Sequence, residues 1–200
     1  ILASDSLLGR GFGTPQGLKA ATYIAGQFEK AGIETLNGHY LHPFNYRRGI
    51  LNISGQNVVG VIRGNHPDLR DEYILLGAHY DHLGWKISGG DTVVYNGADD
   101  NASGSASLIE IGRNLVQRKG ELGRSVILVA FDGEESGLVG SNRFLNESIV
   151  PPQQVKAMFS LDMVGMYGPN RGLSLKGIST VSGGEKLANS IAEAHGISLR

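Results

Sequence analysis

The sequence predicts an α/β layer fold around a largely parallel central sheet. Two observations carry this: short, continuously apolar runs of strand length, and amphipathic stretches of helix length that alternate with them. A third supports it. The apolar runs lead into clusters of His, Asp and Glu, and the carboxyl edge of a parallel sheet is where α/β proteins usually place a ligand site.

The elements follow in order. Thr14-Pro15 pairs an N-capping residue with proline in the first helical position. Leu18, Ala21, Ile24, Ala25 and Phe28 then recur at helical spacing until Gly32 stops the helix. A turn-rich stretch runs to Gly55, after which Asn57 to Ile62 reads as a strand. Tyr73 to Ala78 and Ser125 to Phe131 are unbroken apolar runs, the pattern of strands buried on both faces, and Val155 to Leu161 follows it less strongly. Between them, Ala102 to Lys119 sets Leu108, Ile111, Leu115 and Val116 on one stripe, and Leu138 to Leu145 makes a shorter helix. Ser182 and Glu185 have capping-box spacing, which predicts a helix running to about His195.

Composition bounds the function. Lys and Arg total 18 against 19 Asp and Glu, which leaves no basic footprint for nucleic acid or an anionic membrane. No apolar run approaches the ~20 residues of a membrane-spanning helix. Cysteine is absent, so thiolate zinc sites, disulfide scaffolds and cysteine nucleophiles are all excluded. No Gly-x-Ser-x-Gly elbow anchors a serine hydrolase. His39, His42 and His66 fall in turn-like stretches and read as solvent-facing. The sequence carries no signal of oligomeric state, and its opening on Ile1 suggests that a leader or other upstream sequence has been removed.

The strand at 73–78 leads into His79-Tyr80-Asp81-His82, the strand at 125–131 into Asp132-Gly133-Glu134-Glu135, and the strand at 155–161 into Asp162. Asp99-Asp100-Asn101 opens the helix that follows Gly97. His, Asp and Glu without Cys suit Zn²⁺, Mn²⁺ or a related ion in a hydrolytic site. Carboxylates gathered this closely repel one another unless cations lie between them. One aspartate can bridge two metals, and a carboxylate left off the metals can serve as general base. Glu134 and Glu135 suit such a division, one ligating while the other faces water.

Gly77-Ala-His-Tyr-Asp-His82, Asn96-Gly-Ala-Asp-Asp-Asn-Ala-Ser-Gly104, Asp132-Gly-Glu-Glu-Ser-Gly137 and Ser160-Leu-Asp-Met-Val-Gly165 closely resemble, in order, the motifs of the family-28 zinc metallopeptidases. The resemblance covers nearly the whole chain and implies a three-layer α/β/α zinc-exopeptidase fold, read here as one catalytic domain over residues 1–200. It implies two zinc ions. His79, Asp100 and Asp162 would hold one, with Asp81 orienting the imidazole. Asp100 would bridge to the other, which Glu135 also ligates, and Glu134 matches the general base. In the family the peptide bond after the bridging aspartate is often cis, which nominates Asp100–Asn101. Asp99 reads as a cap, and His82 and Asp132 match no ligand position.

The family supplies one more histidine to the Glu135 zinc, some tens of residues beyond the equivalent of Asp162. His195 is the sole histidine after Asp162 and ends the expected helix, so the domain reads as cut short at its C-terminus. The implied activity is removal of N-terminal residues from peptides that carry a free amino terminus, with export to the periplasm or cell exterior. A glutaminyl-cyclase-like acyltransferase, a carboxypeptidase of the same broad fold and an inactive binding domain are the alternatives.

Overall fold

A computed structural model of the chain describes residues 1–168 and 171–200. The residues fall into two compact units, Ile1–Met163 and Val164–Arg200.

The first unit opens with a 3₁₀ segment at Asp5–Arg10, then α1 (Pro15–Ala31). The Thr14 hydroxyl accepts the Gly17 N–H at 3.1 Å, and Gly32 closes the helix at φ 77°. Its buried stripe is Gly17, Ala20, Ala21, Ile24 and Phe28, whereas Leu18 is 46% exposed. The apolar face is therefore turned from the predicted one, toward the small residues that allow close packing. Strands β1 (Glu34–Thr35), β2 (Leu41–Arg48), β3 (Leu51–Ile62) and β4 (Tyr73–His79) follow. The turn-rich stretch of the sequence reading is thus largely the β2–β3 hairpin, paired from Arg48↔Leu51 to Leu41↔Val58. Alternation along β2 turns His42 inward, so this histidine is buried on the 4.6 Å ring contact with His39 rather than solvent-facing.

A two-stranded hairpin, β5 (Trp85–Ser88) and β6 (Asp91–Val94), precedes a distorted turn at Ala98–Ser103 and α2 (Gly104–Gln117). Then come β7 (Ser125–Phe131), α3 (Val139–Asn146) and β8 (Val155–Ser160). The sheet order is β1-β3-β7-β4-β8, with β2 also on β3. β7, β4 and β8 run parallel, and β3 runs antiparallel to β7. One face packs Ala20, Ile24 and Phe28 of α1 and Leu108 of α2 against Val58, Leu128 and Ala130; the other packs Phe144 of α3 against Val59, Ile127 and Phe131. These are the three expected layers.

Every residue of β7 is buried, as its apolar run predicts. β8 differs: Met158 is 50% and Phe159 44% exposed. Among the described residues it is the last strand in the sheet order and pairs with β4 on one side.

The second unit contains a 3₁₀ turn at Ile178–Thr180, α4 (Gly184–His195) and a bridge between Leu173 and Leu199. Gly183, at φ 71°, caps α4 without a side-chain bond, so the helix starts one residue beyond the position at which Ser182 could complete a capping box. His195 lies in the last turn of α4.

Candidate metal centre

The parallel arrangement of β4, β7 and β8 brings their carboxyl ends to one edge, and the polar clusters meet there. His79 is the last residue of β4, and its carbonyl accepts the Ser105 hydroxyl at 2.9 Å. Asp81 is fully buried. One of its oxygens accepts the Glu134 N–H at 3.0 Å and the other the Glu135 N–H at 3.3 Å; the first also lies 3.6 Å from His79 Nδ1. Asp81 thereby supports both the imidazole and the glutamate pair: its main-chain carbonyl hydrogen-bonds with His79 Nδ1 at 3.2 Å, its carboxylate charge stands just behind, and its two oxygens hold the backbone of the pair.

His79 Nε2 faces Asp100 Oδ1 at 3.2 Å, Asp162 Oδ1 at 3.5 Å and Glu134 Oε2 at 4.0 Å. The second oxygen of Asp100 faces another imidazole: His82 Nδ1 lies 3.9 Å from Asp100 Oδ2 and 2.6 Å from Glu135 Oε1. Two donor triads result, His79–Asp100–Asp162 and His82–Asp100–Glu135, each with its three atoms within 4.8 Å of one another. Every predicted site residue is at this edge. His82, which the sequence reading left as local structure, is there too. The one signal for it was its place in the turn that follows a strand ending in a histidine.

Asn101 ties the pieces together. The Asp100–Asn101 bond is cis. The buried Asn101 side chain donates to Leu161 O at 2.9 Å and accepts the N–H groups of Gly104 at 2.9 Å and Met163 at 3.2 Å. The asparagine thus fixes the loop carrying Asp100 to the segment carrying Asp162. Asp99 accepts the Ser103 hydroxyl through its carbonyl at 2.7 Å and lies in neither triad.

Arg10 is a second residue that sequence reasoning missed. Its fully buried guanidinium donates to the carbonyls of Tyr80 at 2.7 Å, Asn96 at 2.6 Å and Gly97 at 2.9 Å. Burial lowers its pKa, and the charges of Asp81 and Asp100 oppose that fall.

The electrostatics match a site built around cations. Burial alone would lower the His79 pKa. The Asp81 carboxylate, then the charges of Glu134 and Asp162, outweigh it and push the imidazole up to about 9. Glu134 is raised by burial, with His79 opposing and Asp81, Glu135 and Asp162 adding to the rise. Asp132 is pushed up to about 7 by burial and by Asp81, against hydrogen bonds that include those from the Gln56 and Gly133 N–H groups. One imidazole nitrogen and two carboxylate oxygens per triad, with one carboxylate shared, are a donor set suited to paired divalent ions of a hydrolytic site. A cleft beside His79, Glu134 and Asp162 has Phe131, Leu138 and Met158 as apolar walls.

The model of peptidase family M28 matches residues 57–198. Among curated relatives, the alkaline phosphatase isozyme conversion protein of Escherichia coli is 27% identical over 204 residues, 94% of this chain and 57% of that protein. Leucine aminopeptidase 1 of Aspergillus clavatus is 26% identical over 160 residues, 74% of this chain and 37% of that protein. Among solved structures, the LapA aminopeptidase of Legionella pneumophila superposes with a TM-score of 0.65 at 23% identity, covering 99% of this chain and 50% of its own. A glutaminyl cyclase from Bacteroides thetaiotaomicron gives 0.65 at 22% identity, covering 94% and 65%. The chain thus spans about half the length of the relatives it matches along most of its own length.

Proposed function

The chain belongs to peptidase family M28, and from that membership and the paired triads we propose that it is the catalytic part of a zinc aminopeptidase that removes N-terminal residues from peptides. The observation that carries the reading is the position of Glu134. Its carboxylate lies 4.0 Å from His79 Nε2, yet it belongs to neither donor triad.

His79, Asp100 and Asp162 would hold one zinc, and Asp100 and Glu135 would hold a second. Bound there, zinc supplies Lewis acidity, polarising the scissile carbonyl and lowering the pKa of water toward ~7. Asp81 fixes the His79 ring and, through its two oxygens, the backbone that aims Glu134. Glu134 Oε2 accepts the proton of the attacking water and returns it to the nitrogen of the leaving amine. A carboxylate held above its ordinary pKa suits both halves of that transfer. The substrate is a peptide with a free amino terminus, and its first side chain would meet the apolar walls at Phe131, Leu138 and Met158. The family resemblance supports a place of work in the periplasm or outside the cell. No described helix is long and apolar enough to cross a membrane.

Glu134→Gln tests the assignment. It should lower turnover of unblocked peptides by about 10²–10⁴-fold, the range of a lost general base, while bound zinc stays unchanged by elemental analysis. Full activity in that variant, or shortening of N-blocked peptides by the parent, would overturn it. Cyclisation of N-terminal glutamine with release of ammonia, and no peptide shortening, would move the assignment to acyl transfer.

A further inference from the structure

Asp100 can act with His79 only while the loop that carries it keeps a fixed distance from the end of β4. Resting on the reading above, we propose that Arg10 is a positioning residue of the metal centre. Its guanidinium sets that distance by holding the main chain beside His79 to the main chain that leads to Asp100.

Three observations point the same way. The first is what the guanidinium grips. Nε donates to Tyr80 O at 2.7 Å, Nη1 to Leu2 O at 2.5 Å and to Asn96 O at 2.6 Å, and Nη2 to Gly97 O at 2.9 Å. Tyr80 directly follows His79, and Gly97 O also accepts the Ala102 N–H at 3.2 Å, across the turn that carries Asp100. The clamped segments therefore carry the two donors that meet at 3.2 Å, His79 Nε2 and Asp100 Oδ1. The second is how the clamp itself is held. Gly9 O accepts the Gly84 N–H at 3.2 Å, Arg10 O accepts the His82 N–H at 3.3 Å, and Gly11 bridges to His82. A Cβ on Gly9 would stand 2.2 Å from Gly84 O and 2.4 Å from Tyr95 O. Arg10 itself is kept at φ 50°, a conformation uncommon for a residue with a side chain. The third is the choice of side chain. Arg10 is fully buried, and the acceptors of these bonds are all neutral carbonyls. A planar fork of N–H donors reaches carbonyls in several directions at once, which the point charge of an ammonium cannot do.

The competing role is that of a core residue that stabilises the fold and leaves the metals alone. Such a residue would be indifferent to which carbonyls it held, whereas Tyr80, Asn96 and Gly97 flank His79 or lead into the turn of Asp100.

Zinc titrations of the intact protein, with kinetics on an unblocked peptide, are compared among the parent, Arg10→Lys, Arg10→Gln, Asn96→Ala and Ile62→Ala. Arg10→Lys keeps the charge without the fork, and Arg10→Gln keeps N–H donors without the charge. Ile62→Ala truncates the core where β3 pairs with the start of β7, at the sheet edge opposite the site, and controls for lost stability. Positioning predicts that both Arg10 variants weaken zinc by about 10–100-fold. In saturating zinc their kcat should fall by a similar factor while KM stays within about threefold. Ile62→Ala should lower Tm with zinc affinity and kcat unchanged. Arg10 variants that lose Tm as Ile62→Ala does, yet bind zinc and turn over like the parent, would overturn the proposal. Parental behaviour of Arg10→Lys alone would overturn it too, because charge without the fork would then suffice. Asn96→Ala frees the same loop from Ala3 O and Asp5 Oδ1 and leaves the guanidinium in place. Should neither Arg10 variant fold, weakened zinc in Asn96→Ala supports the clamp and parental affinity overturns it. A parent that binds no zinc, or an Asp100→Ala variant with parental zinc binding, would instead overturn the zinc reading beneath it.

Discussion

The two donor triads share Asp100 and differ in what stands behind the imidazole. His79 ends a sheet strand, 6% exposed, with the buried Asp81 carboxylate 3.6 Å from its far nitrogen. His82 lies three residues on and has packing in place of a charge: Gly97 against the ring and the Arg10 carbonyl on its backbone. A carboxylate behind a ring sets its tautomer and basicity, whereas steric support sets only its direction. The first triad is therefore tuned electrostatically and the second by shape.

The largest expected effect falls where the two meet. Asp100→Ala should remove both ions and abolish turnover, whereas Asp162→Ala should release one ion only, both measured by elemental analysis after dialysis. Loss of a single ion from Asp100→Ala would mean that the triads are independent sites.

Asp81→Asn sharpens the contrast at smaller scale. It should weaken the ion at His79 by about 10–100-fold, the usual cost of losing a ligand's carboxylate partner. The other ion should lose less, through the Glu135 N–H alone. Equal losses at the two positions, by zinc titration, would erase the proposed difference.

The smallest effect is on stability in chelator. His79 is pushed up to about 9, above its ordinary 6.5. The folded chain therefore binds a proton that the unfolded chain releases. The resulting stabilisation is fully present below pH ~6.5 and is lost as pH rises through about 9. Tm should decline across that window without metal and decline less with zinc, which needs the neutral ring. A flat Tm in chelator would show that Asp81 does not couple to His79 as described.

How far the sequence could be read follows from the same physics. β7 is legible because seven successive residues are buried, so its run is apolar throughout. β2 is hidden by Pro43 and by polar residues at alternate positions, which an edge strand paired only to β3 tolerates. The β5–β6 hairpin had a signal: Gly89-Gly90, at φ 62° and 91°, between two short β-forming runs. The site divides in the same way. His79, Asp81, Asp100, Glu134, Glu135 and Asp162 stand in motifs whose spacing survives in one dimension. Arg10 and His82 join only in space, through carbonyls and a glycine whose role is to be empty. No local pattern marks Arg10, and His82 had only its place in the turn after β4.

The buried carboxylate of Asp81 also has a mechanical reading. It is rooted just past β4 and grips two consecutive N–H groups just past β7, in the turn that carries Glu134. The His79 imidazole and the Glu134 backbone are therefore joined through one residue across the sheet edge. Any shift of the turn after β7 relative to the end of β4 would have to stretch both hydrogen bonds, which ties the 4.0 Å between Nε2 and Oε2 to the sheet edge.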